Sequence, residues 1–292
     1  MSVSGWILLD KDSGIFSRTA GGRIARMFGT KKFGHIGTLD PMASGVLPIA
    51  IGDATKMIPF IEDLPNADIK EYLFSVQFGF ETDTLDITGT ETRRTDVIPT
   101  MDAVLGALPG LVGKIMQTPP IYSAVHVDGK RAYDVARRGG TVEIPPRPIT
   151  VYALEFMGCN GASWMFRTQC SRGTYVRAIG RDIAAQCGTV GTVDMIRRVK
   201  TGGFDIKNTV KLDFLEKAVN NNADIGEYLM PVDFGLADIP VQNLNHDAAV
   251  LYANGGFVNV DVADGLYRVY DGDKFVGIGR VMDGTLRPKR TI

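Results

Sequence analysis

Residues Gly34 to Lys56 read GHIGTLDPMASGVLPIAIGDATK, a run in which glycine, proline and apolar residues are unusually concentrated. Three glycines and two prolines fall within the fifteen residues from Gly34 to Pro48, and they surround a single carboxylate, Asp40. Glycine reaches backbone angles closed to other residues and proline fixes its own, so this mixture specifies a tight path and not a loose tether. Such a loop can aim Asp40 into a cleft; an ordinary turn with Asp40 as a local cap is the plainer alternative. The apolar run Val46 to Ile51 then has the length of a buried strand, Gly52 turns the chain, and Asp53 can cap a short helix through Phe60.

Upstream, Ser17 followed by Ala20, Ile24, Met27 and Phe28, with Gly29 behind, predicts an N-capped amphipathic helix whose outer face carries Arg18, Arg23 and Arg26. Downstream, Glu71 to Phe78 alternates as a strand, and Met101 to Leu108 is a short helix stopped by Pro109 and Gly110. Lys130 to Arg138 predicts a basic helical excursion with one weak apolar face (Ala132, Val135, Ala136), flanked by glycines and prolines. Thr150 to Gly158 and Ser163 to Cys170 form a hairpin around Asn160-Gly161. Tyr175, Ile179, Ile183 and Cys187 fall four apart on one helix face that ends at Gly188. Beyond Pro231 and Pro240 the pattern changes to short strands and Asp-Gly turns, which sets a boundary near Leu236 between an α+β body and a small β-rich tail.

Composition bounds the class. The 292 residues are 45% hydrophobic and 22% charged, an ordinary globular mixture. The longest apolar stretch, Val46 to Ile51, is far below the roughly 20 residues of a membrane helix, and the N-terminus has no signal-peptide pattern, so a cytoplasmic protein is expected. Three cysteines, Cys159, Cys170 and Cys187, make no disulfide framework and read as small buried hydrophobes, and the three histidines share no zinc spacing with them. The net charge of −1 hides local asymmetry: Arg167 to Lys200 holds seven Lys or Arg against two acids, whereas Asp63 to Asp102 holds nine acids against three bases. Basic patches of this kind suit a phosphate-binding groove, although solvated helix faces would look the same.

The stretch from Gly34 to Lys56 closely resembles the signature of the TruB family of tRNA pseudouridine synthases, and the likeness runs along the chain in family order. Leu8 to Gly14 (LLDKDSG) is similar to the family's lysine-proline-x-glycine entry. Lys70-Glu-Tyr72 resembles its basic-x-tyrosine strand, Thr82 to Gly89 (TDTLDITG) its T-D-T-x-D-x-x-G loop, and Pro119 to Ala136 its P-x-x-Y-S-A…G-x-x-x-Y-x-x-A segment. Ser171 to Arg177 resembles S-x-G-T-Y-x-R, and Ile196 to Val199 the L-R-R-x element. Asp12 stands where proline is usual, Ile36 where the family has threonine or a small residue, and Val199 where leucine is frequent. The resemblance implies an α+β fold with a central mixed, mainly antiparallel sheet. It divides the chain into a catalytic domain over residues 1–235, with a thumb-like RNA-binding excursion at about 119–149, and a PUA-like domain over 236–292.

The implied activity is isomerisation of the uridine at position 55 in the tRNA T-loop, without metal or organic cofactor, in the stand-alone bacterial manner that needs no protein partner. Breaking a glycosidic C–N bond and forming a C–C bond to the same base suits a carboxylate as nucleophile or base, and Asp40 is the candidate. Attack at C1′, attack at C6 and a glycal route all stay open. Arg177 is implied to pair with Asp40, and Tyr72 to stack on the base and assist a late proton transfer. His35 is implied to fill the stack left by the flipped uridine and Val199 to pack on the base. Lys130, Arg131, Arg137 and Arg138 are implied to hold RNA phosphates, with Lys11, Asp83, Tyr175, Arg197 and Arg198 also at the substrate. Two rivals remain on residues alone: a tRNA-binding or folding module in which Asp40 is incidental, and a glycosidase, which would ordinarily need two carboxylates.

Overall fold

A computed structural model describes residues 3–123, 126–127, 130–131 and 144–292. Its main sheet contains β1 (Gly5–Lys11), β2 (Phe33–His35), β3 (Ser44–Ile51) and β4 (Lys70–Phe78). A side ribbon, β5 (Phe80–Thr82) with β6 (Glu91–Arg94), precedes β7 (Gly113–Gln117), and β8 (His126–Val127) pairs with β9 (Lys130–Arg131). The main sheet resumes with β10 (Arg147–Asn160), β11 (Ser163–Cys170), β12 (Gly191–Thr201), β13 (Phe204–Asp205) and β14 (Val210–Lys211). The strand order is β14-β1-β3-β12-β4-β11-β10-β7, with β2 on β3 and β13 on β12. Only β1 with β14 and β3 with β12 run parallel, so the sheet is mixed and mainly antiparallel.

Every residue of β1 is buried, and its side chains divide by alternation between two cores. Ile7 and Leu9 join Leu47, Ile49, Phe74, Val76 and Phe166 under the helices Ser17–Met27 and Val176–Gln186. Trp6 and Leu8 join Val46, Ala50, Met57 and Phe204 on the other face. A strand covered on both faces reads as a continuous apolar run, which is why Trp6 to Leu9 shows no alternation. Ile36 lies in the second cluster, so its departure from the family pattern packs against the core and not into a site. The Asn160-Gly161 hairpin forms as expected, with Gly161 at φ +60.

The tail folds as β15 (Val241–Leu244), β16 (Val258–Asn259), β17 (Gly265–Asp271), β18 (Lys274–Met282) and β19 (Thr285–Thr291), in the order β15-β17-β18-β19-β16. Phe275 and Ile278 of β18 belong to the same core as Trp6, as does Leu236, and Asp233 pairs with Arg268 at 2.9 Å.

Three expectations change. Ser17 is not a helix cap: Phe16 occupies the N-cap without a side-chain bond, and Ser17 turns inward. Lys130 and Arg131 lie in a strand and not in a helix; Asp128-Gly129 before them is a hairpin sequence that the helical reading overlooked. The remainder of that basic segment, with Arg137 and Arg138, lies outside the described residues. Cys159 is exposed near the hairpin tip, where no core exists to cover it.

Candidate active site

The Asp40 loop runs from β2 to β3 and is held from several sides. Ser17 Oγ donates to Leu39 O at 2.9 Å and accepts from Leu39 N at 3.0 Å. Lys11 Nζ donates to Pro41 O, Gly14 N to the same carbonyl, and Ser13 Oγ to Met42 O at 2.8 Å. Gly37 (φ +67) offers its carbonyl to Arg198 Nη2 at 2.8 Å. At Gly45 (φ +105) a Cβ would stand 2.1 Å from Arg198 O, so β3 and β12 meet there only because the side chain is missing. These bonds leave Asp40 at the wall of a cavity of about 170 Å³, lined also by Thr38, Lys70, Tyr72, Tyr175 and Ile196.

Arg177 enters from the second residue of the helix Val176–Gln186 and is nearly closed to solvent. Its Nε lies 2.8 Å from Asp40 Oδ2 but off the line of the N–H, so the pair is an ion contact without an aligned hydrogen bond. Nη1 donates to Thr84 O at 2.7 Å and Nη2 to Tyr122 O at 3.0 Å. On the inner side Asp86 Oδ2 stands 3.4 Å from Nη1, while Asp86 Oδ1 accepts from Thr84 Oγ1, Thr88 N and Thr88 Oγ1. One guanidinium therefore bridges a buried carboxylate, satisfied by its own loop, and a carboxylate facing the cavity.

Tyr72 lines the same cavity. Burial pushes its phenol up to about 12, against the pull of the Arg198 guanidinium beside it, so it keeps its proton through the neutral range. Arg198 is the register partner of Tyr72 on β12 and is wholly buried, which lowers its own affinity for a proton. Lys70, two residues before Tyr72 on the same face of β4, is held by burial at about 8. The cavity thus has a flat aromatic side, an aliphatic side at Ile196, a carboxylate and concentrated positive charge. A planar polar ring that acquires negative charge would be held well there.

The structure brings Asp40, Tyr72, Arg177 and Tyr175 together, and several other expected residues elsewhere. His35 sits at the rim with Nε2 3.1 Å from Thr38 Oγ1; burial, then the charges of Arg198 and Arg18, hold its imidazole below the usual range. Val199 is the extra residue of a β-bulge and does not line the cavity; Ile196 does. Lys11 is fully buried with its ammonium on the carbonyls of Asp12, Ile15 and Pro41, a brace for the loop and not a substrate contact. Asp83 accepts from Thr90 N within its own turn. Arg198 donates to Val46 O and Gly37 O, with no face toward solvent, and Arg197 is held by both oxygens of Asp10 at 3.0 and 2.9 Å. Asp86, Lys70, Ser17 and Ile196 were given no role at the site from sequence, although Ser17 was read as a helix cap and the other three fall within the motifs. For Asp86 a signal existed: an acid flanked at two residues on each side by threonines able to saturate one of its oxygens.

Among the described residues no three His, Cys, Asp or Glu gather as a metal site, and no helix is long and apolar enough to cross a membrane. Residues 25–176 match the family model for the TruB family pseudouridylate synthase N-terminal domain, and residues 240–292 that for the C-terminal part of pseudouridine synthase II TruB. The chain is 40% identical to tRNA pseudouridine synthase B of Gluconacetobacter diazotrophicus, covering 99% of this chain and 97% of that one. It is 39% identical to the enzyme of that name from Caulobacter vibrioides, over 99% and 96%. Among solved structures it superposes on a chain of a Cbf5-Nop10-Gar1 complex with TM-score 0.68 at 21% identity, covering 98% of this chain and 84% of that one, a likeness of fold.

Proposed function

The chain belongs to the TruB family of pseudouridylate synthases, and from that premise we propose that it converts the uridine at position 55 in the T-loop of tRNA to pseudouridine in the cytoplasm. The observation that carries this reading is Asp40, on a braced loop, in ion contact with the buried Arg177 inside a cavity walled by Tyr72. Asp40 is the group that engages the glycosidic carbon or the ring, and Arg177 keeps it ionised and aimed. Tyr72 stacks on the base and, holding its proton, can pass it on only as a neutral phenol. The base must leave the T-loop stack to arrive, and His35, whose ring meets Thr38 of the cavity lining, takes the vacated position in this reading. Lys130, Arg131, Arg137 and Arg138 bind phosphates of the RNA arm, and residues 236–292 act as a PUA-like companion to the catalytic body over 1–235.

The test is to incubate the protein with unmodified tRNA transcript and map pseudouridine along it. Conversion at position 55 is expected. Conversion confined to another position would overturn the T-loop assignment, and release of free uracil would replace the isomerase with a hydrolase.

A further inference from the structure

Lys70 occupies the place on β4 where the buried stripe of Tyr72, Phe74 and Val76 runs out into the cavity. No hydrogen bond or ion pair to its ammonium is found among the described residues, unlike Lys11, which has three carbonyls. A second unneutralised charge converges on it. A Cβ built at Gly37 would lie 3.3 Å from Lys70 Nζ and 2.9 Å from Arg198 Nη1, so both cations border one point that Gly37 leaves empty. Arg198 Nη1 is sealed from solvent and has no aligned acceptor. Two like charges at the edge of a small cavity, with no ion pair to an acid for either among the described residues, are costly unless further negative charge arrives.

Resting on the isomerase reading above, we propose that Lys70 is a further catalytic residue, whose ammonium contacts the uracil ring and stabilises the negative charge the ring carries while detached. Every route left open for Asp40 generates that charge. Cleavage of C1′–N1 leaves the bonding pair on N1, shared with O2 and O4, and addition of the carboxylate to C6 sends electrons to O4. C5 then bonds to C1′; the bond from Asp40 to C1′ or C6, where one has formed, breaks and frees the carboxylate, and on the glycal route C2′ regains its proton. The C5 proton departs to a base and N1 takes up a proton, so the product is an isomer of the substrate. A phosphate contact fits less well. Lys70 shares its cavity with Tyr72 and Ile196, the flat and aliphatic walls, whereas cations such as Arg147 and Arg172 are exposed and open to a phosphate.

The experiment compares single-turnover pseudouridine formation and tRNA affinity for wild type, Lys70→Met and Lys70→Arg. Lys70→Met should lose about 100-fold in rate, the scale of removing one preorganised charge-stabilising donor, with affinity within a few-fold of wild type and partial recovery in Lys70→Arg. A rate within about threefold of wild type overturns the proposal. So does a loss confined to affinity with a shallower salt dependence, which would make Lys70 a phosphate contact. If Lys70→Met does not fold, the wild-type pH profile decides. The groups around the ammonium are Arg198 on β12, Cys170 and Arg172 at the end of β11, Glu62, Tyr72 beside it on β4 and Asp40 in the same cavity, and burial sets its titration at about 8. The rate should therefore fall as pH rises through that value; a rate level to pH 10 overturns the role. Absence of pseudouridine from the wild type would instead contradict the isomerase reading itself.

Discussion

At the scale of single residues, the site depends on one arginine shared between two acids. Asp86 faces Arg177 from the closed side, and its other oxygen is saturated by Thr84 and Thr88, so it cannot swing away. Asp86→Asn keeps the shape, removes the inner charge and lets the guanidinium drift from Asp40. Turnover should fall by about 100-fold, the scale of a slight misplacement of a catalytic group, while tRNA affinity holds; steady-state and single-turnover rates on one preparation check this, and unchanged turnover would reduce Asp86 to a loop staple. Asp40 was legible because it is the only acid in a loop dense with glycine and proline. Asp86 was not, because TDTLDITG offers two acids and only burial tells them apart: Asp83 caps its own turn in the open and Asp86 goes inside. The resemblance put Lys11 and Arg198 at the substrate, and nothing local in the sequence reveals that their donors are consumed by buried carbonyls.

At the scale of elements, β12 shows why part of the sheet escaped the sequence. Asp194 and Val199 are each the extra residue of a bulge, so Val193 and Ile196, and again Arg198 and Thr201, are buried at a spacing of three. No alternation can show on such a strand, and Ile196, not the Val199 that the resemblance put against the base, reaches the cavity. Asp194 in the first bulge is held by Ser75 and Gln77 of β4 and by Ser163 of β11, which ties the strand to its neighbour β4 and to the next strand beyond it. By contrast the hairpin of β10 and β11 was plain, since its turn residues and alternation sit together in sequence. The junction of β3 with β12 is the vulnerable point. Gly45→Ala would force a left-handed angle on alanine, about 1–3 kcal/mol by itself, and drive its Cβ into Arg198 O. The melting temperature should drop by several degrees, and a scanning-calorimetry trace indistinguishable from wild type would show that the strands can separate at no cost.

At the scale of the whole molecule, the second core joins β18 to the body through Phe275 and Ile278, packed with Trp6, Leu8 and Val46. The tail's strands were expected from Asp-Gly turns, but sharing of a core between distant segments has no sequence signature, since Ile278 and Trp6 lie far apart along the chain. Ile278→Ala should cost about 2–5 kcal/mol, and because Trp6 is in the same cluster its fluorescence should report the loss in the same transition. A variant that loosens only the tail, with the Trp6 signal unmoved, would mean that the cluster contributes nothing to the body. The proposed function makes one demand at this scale, that a correctly folded, tRNA-bound protein without the carboxylate of Asp40 does nothing. Asp40→Asn preserves the size of the side chain, so melting and tRNA affinity should stay close to wild type. Single-turnover pseudouridine formation should fall by several orders of magnitude, each tenfold being about 1.4 kcal/mol of barrier. Turnover by the folded variant within roughly tenfold of wild type would contradict a catalytic Asp40.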